Sequence, residues 1–149
     1  MKKTKIEFKI ESVNISDKKG VQKHRVEEVE LVEDFGIKGD AHAGKWHRQV
    51  SFLAGEGVDK MKEKGLELQP GAFGENIVTR GIDWSQVKVG GKVFIKDLIL
   101  EVTQIGKECH DRCAIYYAAG ECIMPKQGIF VKVLKGGRIH AEDSGYYSI

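Results

Sequence analysis

The sequence predicts a mainly β protein: a single closed or strongly curled β-barrel carrying a few short helices. Three observations carry that expectation. The chain has 18 glycines against two prolines, its apolar residues recur with period two in short runs between glycine-rich turns, and only two stretches have helical character. At 149 residues it is long enough for one domain with its own core, so residues 1–149 are read as one unit. Barrel closure would remove the sheet edges that such a chain must otherwise protect.

Each element has its own warrant. Ile6, Phe8 and Ile10 alternate with charged residues, as a half-buried strand requires. Val29 and Leu31 repeat the pattern among glutamates, and Gln49 to Ala54 is a compact apolar run. Further strands are expected over 75–79, 92–95, 98–105, 129–134 and 138–141, about eight in all from period-two runs. Lys96-Asp97 is expected to join two of them as a hairpin, and Gly136-Gly137 another two, because glycine accepts positive φ without strain. Residues 56–64 (EGVDKMKEK) read as a helix stopped by Gly65, and 110–119 (HDRCAIYYAA) as a second helix ending before Gly120.

Composition narrows the function classes. With 41% hydrophobic and 31% charged residues the chain is globular and not disordered. A net charge of +2 gives little reason to expect a nucleic-acid partner, which needs concentrated positive charge. No apolar run approaches the roughly 20 residues that span a bilayer. The basic start Met1 to Lys5 is followed by Glu7, Lys9 and Glu11 where a signal peptide needs apolar residues, so export is not expected. Three cysteines confined to 109–122 do not make a disulfide framework; a reducing cytoplasm is the expected location.

Those cysteines are the first candidate chemistry. In Ile105-Gly106-Lys107-Glu108-Cys109-His110-Asp111-Arg112-Cys113 a strand ends, Gly106 turns the chain, and a helix is expected to begin near Cys109. A thiol there feels the positive end of the helix dipole, with Lys107 and Arg112 favouring the thiolate and Glu108 and Asp111 opposing it. Cys113, four residues on, would share a helix face with Cys109 at roughly 5–6 Å between Cβ atoms. It either supports Cys109, resolves an oxidised form of it, or packs as a small hydrophobe. Cys122 reads as structural. A zinc site built on Cys109, Cys113, Cys122 and His110 is the remaining alternative. It lacks a second well-spaced ligand pair, and His110 adjoins Cys109.

The second constellation is the loop 36–50, GIKGDAHAGKWHRQV. Gly39 and Gly44 with Lys45, His47 and Arg48 suit an anion-binding concavity, in which backbone amides line the site and Arg48 makes a bidentate contact. Trp46 would either cover an aromatic ring or plug the barrel rim. The competing reading is a solvated connection whose glycines only serve turns. In a third stretch, Pro70 to Ile77, Glu75 and Asn76 either hold turn backbone groups or face a ligand.

Taken together, GIKGDAHAGKWHRQVSFL, GAFGENI and VTQIGKECHDRCAIYYAAGECIMPKQGIF resemble the MOSC domain, the module at the C-terminus of molybdenum cofactor sulfurases, and in particular its small stand-alone bacterial branch. The resemblance runs in order over about residues 36–135. It implies a pyruvate-kinase-barrel-like fold and an essential cysteine shortly after a Val-Thr-Gln strand end, which falls on Cys109. In relatives that cysteine carries sulfur as a persulfide, or ligates molybdenum in reductases of N-hydroxylated compounds. By the same likeness Gly39, Asp40, His42, Gly44, Lys45, His47 and Arg48 would hold a pterin and its phosphate; Glu75 and Asn76, if they face a ligand, and Lys107 and Arg112, as supports of the thiolate, complete the candidate cofactor site.

Two departures follow from length. Sulfurases fuse a pyridoxal-phosphate desulfurase to this module, and the reductases carry an extra N-terminal barrel. Neither is expected here, so pyridoxal phosphate is not an expected cofactor. The leading expectation is therefore a sulfur carrier or sulfurtransferase acting on a molybdenum or tungsten pyranopterin through a persulfide on Cys109. It would need a cysteine desulfurase-type donor and a molybdenum or tungsten enzyme, or a cofactor-synthesis protein, as acceptor. The alternatives are a small oxidoreductase with Cys109 as metal ligand, and a non-catalytic cofactor-binding or trafficking module. No nucleic acid or membrane partner is expected.

Overall fold

The computed structural model describes residues 5–19, 21–106 and 128–148. The opening alternation becomes β1 (Lys5–Ile15), with Phe8 and Ile10 in the core and Glu7, Lys9 and Glu11 outside. It breaks at a register shift between Ile10 and Ser12, beyond which Ser12, Val13 and Asn14 are all buried. Then come β2 (His24–Val26), β3 (Glu28–Val32), β4 (Gly36–Ile37), β5 (Val50–Ala54), α1 (Gly55–Lys62), β6 (Ile77–Arg80), β7 (Lys92–Ile95), β8 (Leu98–Ile105), β9 (Gly128–Lys135), β10 (Gly137–His140) and β11 (Ser144–Ser148).

Seven strands close a barrel in the order β11-β7-β8-β9-β5-β6-β1, with β1 pairing back onto β11. β2 extends β1 at one end, and β10-β3-β4 form a separate small sheet. The fold is mainly β and closed, as the alternation predicts. One pairing departs from an all-antiparallel barrel: β5 and β6 run parallel, Phe52 opposite Ile77. Parallel neighbours cannot be joined by a tight turn, and the chain between them contains α1.

This explains why every residue of β5 is buried. Val50, Phe52 and Ala54 face the barrel core, while Leu53 faces outward into a second cluster with Met61, Leu68, Ala72 and Phe130 beneath α1. Inside the barrel Phe8, Phe52 and Trp84 meet edge to face, with Trp84 5.4 Å from each of the other two rings. The Trp84 indole N–H is satisfied by Thr79 Oγ1 at 2.8 Å.

The Lys96-Asp97 turn joins β7 to β8 as expected, with Lys96 at φ +52°. α1 ends at Lys62, two residues short of the expected boundary, and the chain turns through Gly65 at φ +88°. Gly136-Gly137 is not a hairpin turn. β10 leaves β9 to pair with β3, Gly137 opposite Leu31. Gly136 is required there by proximity, since a Cβ would lie 2.2 Å from the Leu31 carbonyl oxygen. The second expected helix, 110–119, lies outside the described residues. Among those described, no helix is long and apolar enough to cross a membrane.

Candidate functional site

The loop after β4 is knitted at both ends to the barrel. At its entry Gly39 takes φ +87°, and the Asp40 N–H returns to the Ile37 carbonyl at 3.1 Å. The buried Asp40 carboxylate then organises three segments. Its Oδ1 accepts from the Ser16 N–H just beyond β1 at 3.1 Å and from Lys23 Nζ at 2.8 Å. Its Oδ2 accepts from the His42 N–H at 3.2 Å. The side chains of Lys23 and Asp40 are both completely removed from solvent.

An ammonium has three protons and no lone pair, and all three find acceptors here. They are Asp40 Oδ1, Ser16 Oγ at 3.2 Å and His42 Nδ1 at 2.9 Å. The Ser16 hydroxyl proton goes to the Lys18 carbonyl at 3.0 Å, which leaves its lone pairs for Lys23. Lys23 therefore joins the end of β1 to His42, whose side chain is about one-quarter exposed at 28%.

The exit of the loop is tied to β8. The Thr103 hydroxyl reaches the His47 carbonyl. Gln104 Oε1 accepts from Arg48 Nε at 2.9 Å and contacts His47 Nε2 at 3.1 Å, and its amide nitrogen donates to the Gly106 carbonyl at 2.9 Å. Because an amide oxygen only accepts, His47 must present Nε2–H to it. The Arg48 guanidinium stacks 5.1 Å over Phe130. Gly106, at φ +74°, donates its N–H to the Gly128 carbonyl at 2.7 Å. Between the two anchors the Trp46 indole N–H holds the His42 carbonyl at 2.8 Å, and Lys45, Trp46 and His47 remain exposed.

Glu75 and Asn76 are buried and bonded to the protein's own backbone. Glu75 receives the N–H groups of Gly71 at 2.9 Å and Phe73 at 3.0 Å, folding the turn between them. Burial pushes its carboxyl above the ordinary range, against the opposing pull of those amides and of the Lys23 charge. Asn76 bridges strands: Oδ1 accepts from the Ser51 N–H at 3.0 Å and Nδ2 donates to the Asn14 carbonyl at 3.1 Å. The 71–76 turn also meets Lys23, whose N–H donates to the Gly71 carbonyl at 2.9 Å. Two of the three sequence stretches thus converge on one buried lysine.

A family model described as the MOSC domain matches residues 39–145, more than half of the chain. The chain belongs to the MOSC domain family. Its fold is similar to that of YuaD from Bacillus subtilis, with a TM-score of 0.82 at 18% identity, covering 99% of this chain and 100% of that one. YiiM from Escherichia coli matches with a TM-score of 0.65 at 18% identity over 97% of this chain and 70% of its own. YiiM from Geobacillus stearothermophilus matches with a TM-score of 0.66 at 19% identity over 95% and 75%. At such identities the likeness is one of fold. No curated protein matches the sequence.

MOSC domains are associated with the molybdenum cofactor. In this one, Gly39, Asp40, His42, Gly44, Lys45, His47 and Arg48 share a single loop, with Asp40 buried, Arg48 half-buried, and Lys45 and His47 exposed. The turn folded by Glu75 is linked to it through Lys23, whose backbone N–H reaches the Gly71 carbonyl, whereas Asn76 bonds Ser51 and Asn14 and does not face the loop's cations. Cys109, Cys113, Cys122, Lys107 and Arg112 lie outside the described residues. Among the described residues no three His, Cys, Asp or Glu side chains group as for a metal ion. Sequence reasoning missed Ser16, Lys23, Thr103 and Gln104. Lys23 sits in the polar stretch Asp17-Lys18-Lys19-Gly20-Val21-Gln22-Lys23, where nothing separates a buried lysine from its solvated neighbours.

Proposed function

We propose that this MOSC protein carries sulfur to a molybdenum or tungsten pyranopterin through a persulfide on Cys109. The observation that supports the reading is the clasp of His47 and Arg48 on Gln104, which fixes the cationic loop at the end of β8, immediately before the segment that leads to Cys109. Cys109 follows Gly106 by three positions in the chain. The donor set suits an anionic substrate: residues 41–48 contain no carboxylate, Lys45 and His47 are exposed, and the Asp40 charge is buried and neutralised by Lys23.

In this reading Lys45, His47 and Arg48 hold the phosphate end of the pyranopterin, and Lys107 and Arg112 support the Cys109 thiolate. That thiolate attacks the terminal sulfur of a donor persulfide, the donor cysteine leaves as its thiolate, and Cys109 keeps the sulfur. The partners are a cysteine desulfurase-type donor and an acceptor that is a molybdenum or tungsten enzyme, or a protein assembling its cofactor. Incubation with a cysteine desulfurase and cysteine, followed by intact mass, should show one added sulfur that is lost in Cys109→Ala. If Cys109→Ala still acquires it and Cys113→Ala does not, the assignment is wrong.

A further inference from the structure

We infer that the outer wall of the barrel carries a binding site remote from the 39–48 loop, a groove over β1, β11 and β7 that takes an uncharged, planar aromatic compound bearing carbonyl acceptors. The groove encloses about 500 Å3, within the roughly 300–1,000 Å3 of small-molecule sites. Its floor is backbone, because the paired residues Phe8 and Gly145 face inward. β1 reaches the loop at Ser16, roughly 20 Å along the strand from Lys9. Strand register sets out two rows of side chains. Lys9 pairs with Arg80 on one side and Ser144 on the other, and Lys96 follows Ile95, the partner of Gly145. Two residues along, about 6.8 Å away, Glu7, Tyr146 and Phe94 stand side by side. Phe94 and Tyr146 stack at 4.9 Å and 21°, half-buried on a wall where the neighbouring outward residues Lys5, Glu7, Lys9 and Lys92 are charged. Lys5 Nζ also covers the Tyr146 ring, at 4.4 Å, which leaves the Phe94 ring to a ligand.

The charges at the rim are answered outside the groove. Arg80 is held by Asp59 and Glu11, Lys96 by Asp143 at 3.0 Å and Lys9 by Glu142 at 3.4 Å, and none of these carboxylates lines it. An ammonium has three protons, so Lys9 and Lys96 each give one to a carboxylate and keep donors for the groove while adding little net field. The Ser144 hydroxyl, without a partner among the described residues, stands between them, since β11 runs between β1 and β7. Such a row suits a neutral acceptor better than an anion, which Glu7 and the carboxylates behind the lysines oppose. The ligand's ring lies on Phe94 with its carbonyl toward Lys9, Ser144 and Lys96, a span that a bicyclic ring covers.

Coumarin, which is uncharged, bicyclic and carries a lactone carbonyl, is the probe. Titrated at millimolar concentration into 15N-labelled protein, it should shift the backbone amides of Lys9, Phe94, Ser144 and Gly145 saturably and leave those of His42 and His47 unmoved. Phe94→Thr, which keeps a strand-forming residue, should weaken binding about tenfold through the lost ring contact. Ser144→Leu, at an exposed position two residues from the stack, fills the groove and should abolish binding; it decides the matter should Phe94→Thr not fold. Coumarin-3-carboxylate, the same ring with a charge, should bind no more tightly than coumarin. Saturable shifts that are absent from these amides or centred on the 39–48 loop overturn the inference. So does unchanged affinity in folded Phe94→Thr or in Ser144→Leu, or tighter binding of the carboxylate.

Discussion

Lys23→Met removes the buried ammonium at nearly constant side-chain length, and its cost follows from what is left behind. The Asp40 carboxylate stays fully enclosed and keeps the Ser16 and His42 N–H groups, at 3.1 and 3.2 Å, but loses its only opposite charge among the described residues, at 2.8 Å. Removing one partner of a buried pair costs about 3–5 kcal/mol, because an uncompensated charge remains. The two retained donors place the expectation at the lower end, about 3 kcal/mol. Lys23→Met/Asp40→Asn removes the orphaned charge and should be more stable than the single variant, the opposite of what two independent losses would give. Urea unfolding monitored by tryptophan fluorescence reads both values, provided the slope m is unchanged. Since the pair is shielded from solvent, the loss should persist in about 1 M salt, where exposed pairs are screened. A loss below about 1 kcal/mol, or a double variant no more stable than the single one, would refute the argument.

Glu75 supplies a pH dependence of defined sign. Its carboxyl is raised in the folded protein by burial, so the folded state binds that proton more tightly than the unfolded chain, and stability falls as pH rises from the ordinary carboxylate range through the raised value. Glu75→Gln lacks this component; its stability relative to wild type should improve with rising pH in urea midpoints, and a trend in the other direction would contradict the burial argument. Two glycines separate backbone conformation from contact. Gly65 and Gly71 have φ +88° and +90°, but a Cβ at Gly65 meets nothing within 4 Å while one at Gly71 lies 2.2 Å from the Lys23 carbonyl oxygen. Gly65→Ala should cost about 1–2 kcal/mol for the left-handed backbone. Gly71→Ala should cost clearly more in the same unfolding assay, and equal losses would show that the contact relaxes without strain.

Much of the fold was legible because period-two burial is a local property. Phe8 and Ile10, the Lys96-Asp97 turn and the helix after β5 all follow from neighbours in sequence. The errors arose where a residue's role is set by something distant. Gly136-Gly137 has the composition of a hairpin, yet Gly136 is small because Leu31 approaches it. The parallel pairing of β5 with β6 depends on where α1 packs. β11, which closes the barrel between β1 and β7, offers only Ser144-Gly145-Tyr146-Tyr147-Ser148 as a local signal. The same division holds at the site. The basic loop declares itself by composition, whereas Lys23 and Gln104 acquire their roles from partners 17 and 56 positions away, Asp40 and Arg48.

The way the loop is anchored preserves its positive charge. A carboxylate at position 104 would bind Arg48 more strongly than an amide does, since charge-assisted pairs are roughly twice as strong, but it would also cancel the guanidinium. Gln104 instead orients Arg48 and His47 through one uncharged oxygen, with its own amide nitrogen braced on Gly106. At the other end of the loop a carboxylate is used, and there its charge is neutralised inside the protein by Lys23 at 2.8 Å. An exposed Asp40 would oppose the cations a few residues along; a buried and paired one leaves little field beyond its own dipole. Both anchors thus hold the loop without drawing down the field of Lys45 and Arg48, as a site for an anion requires and a loop serving only as a connection does not.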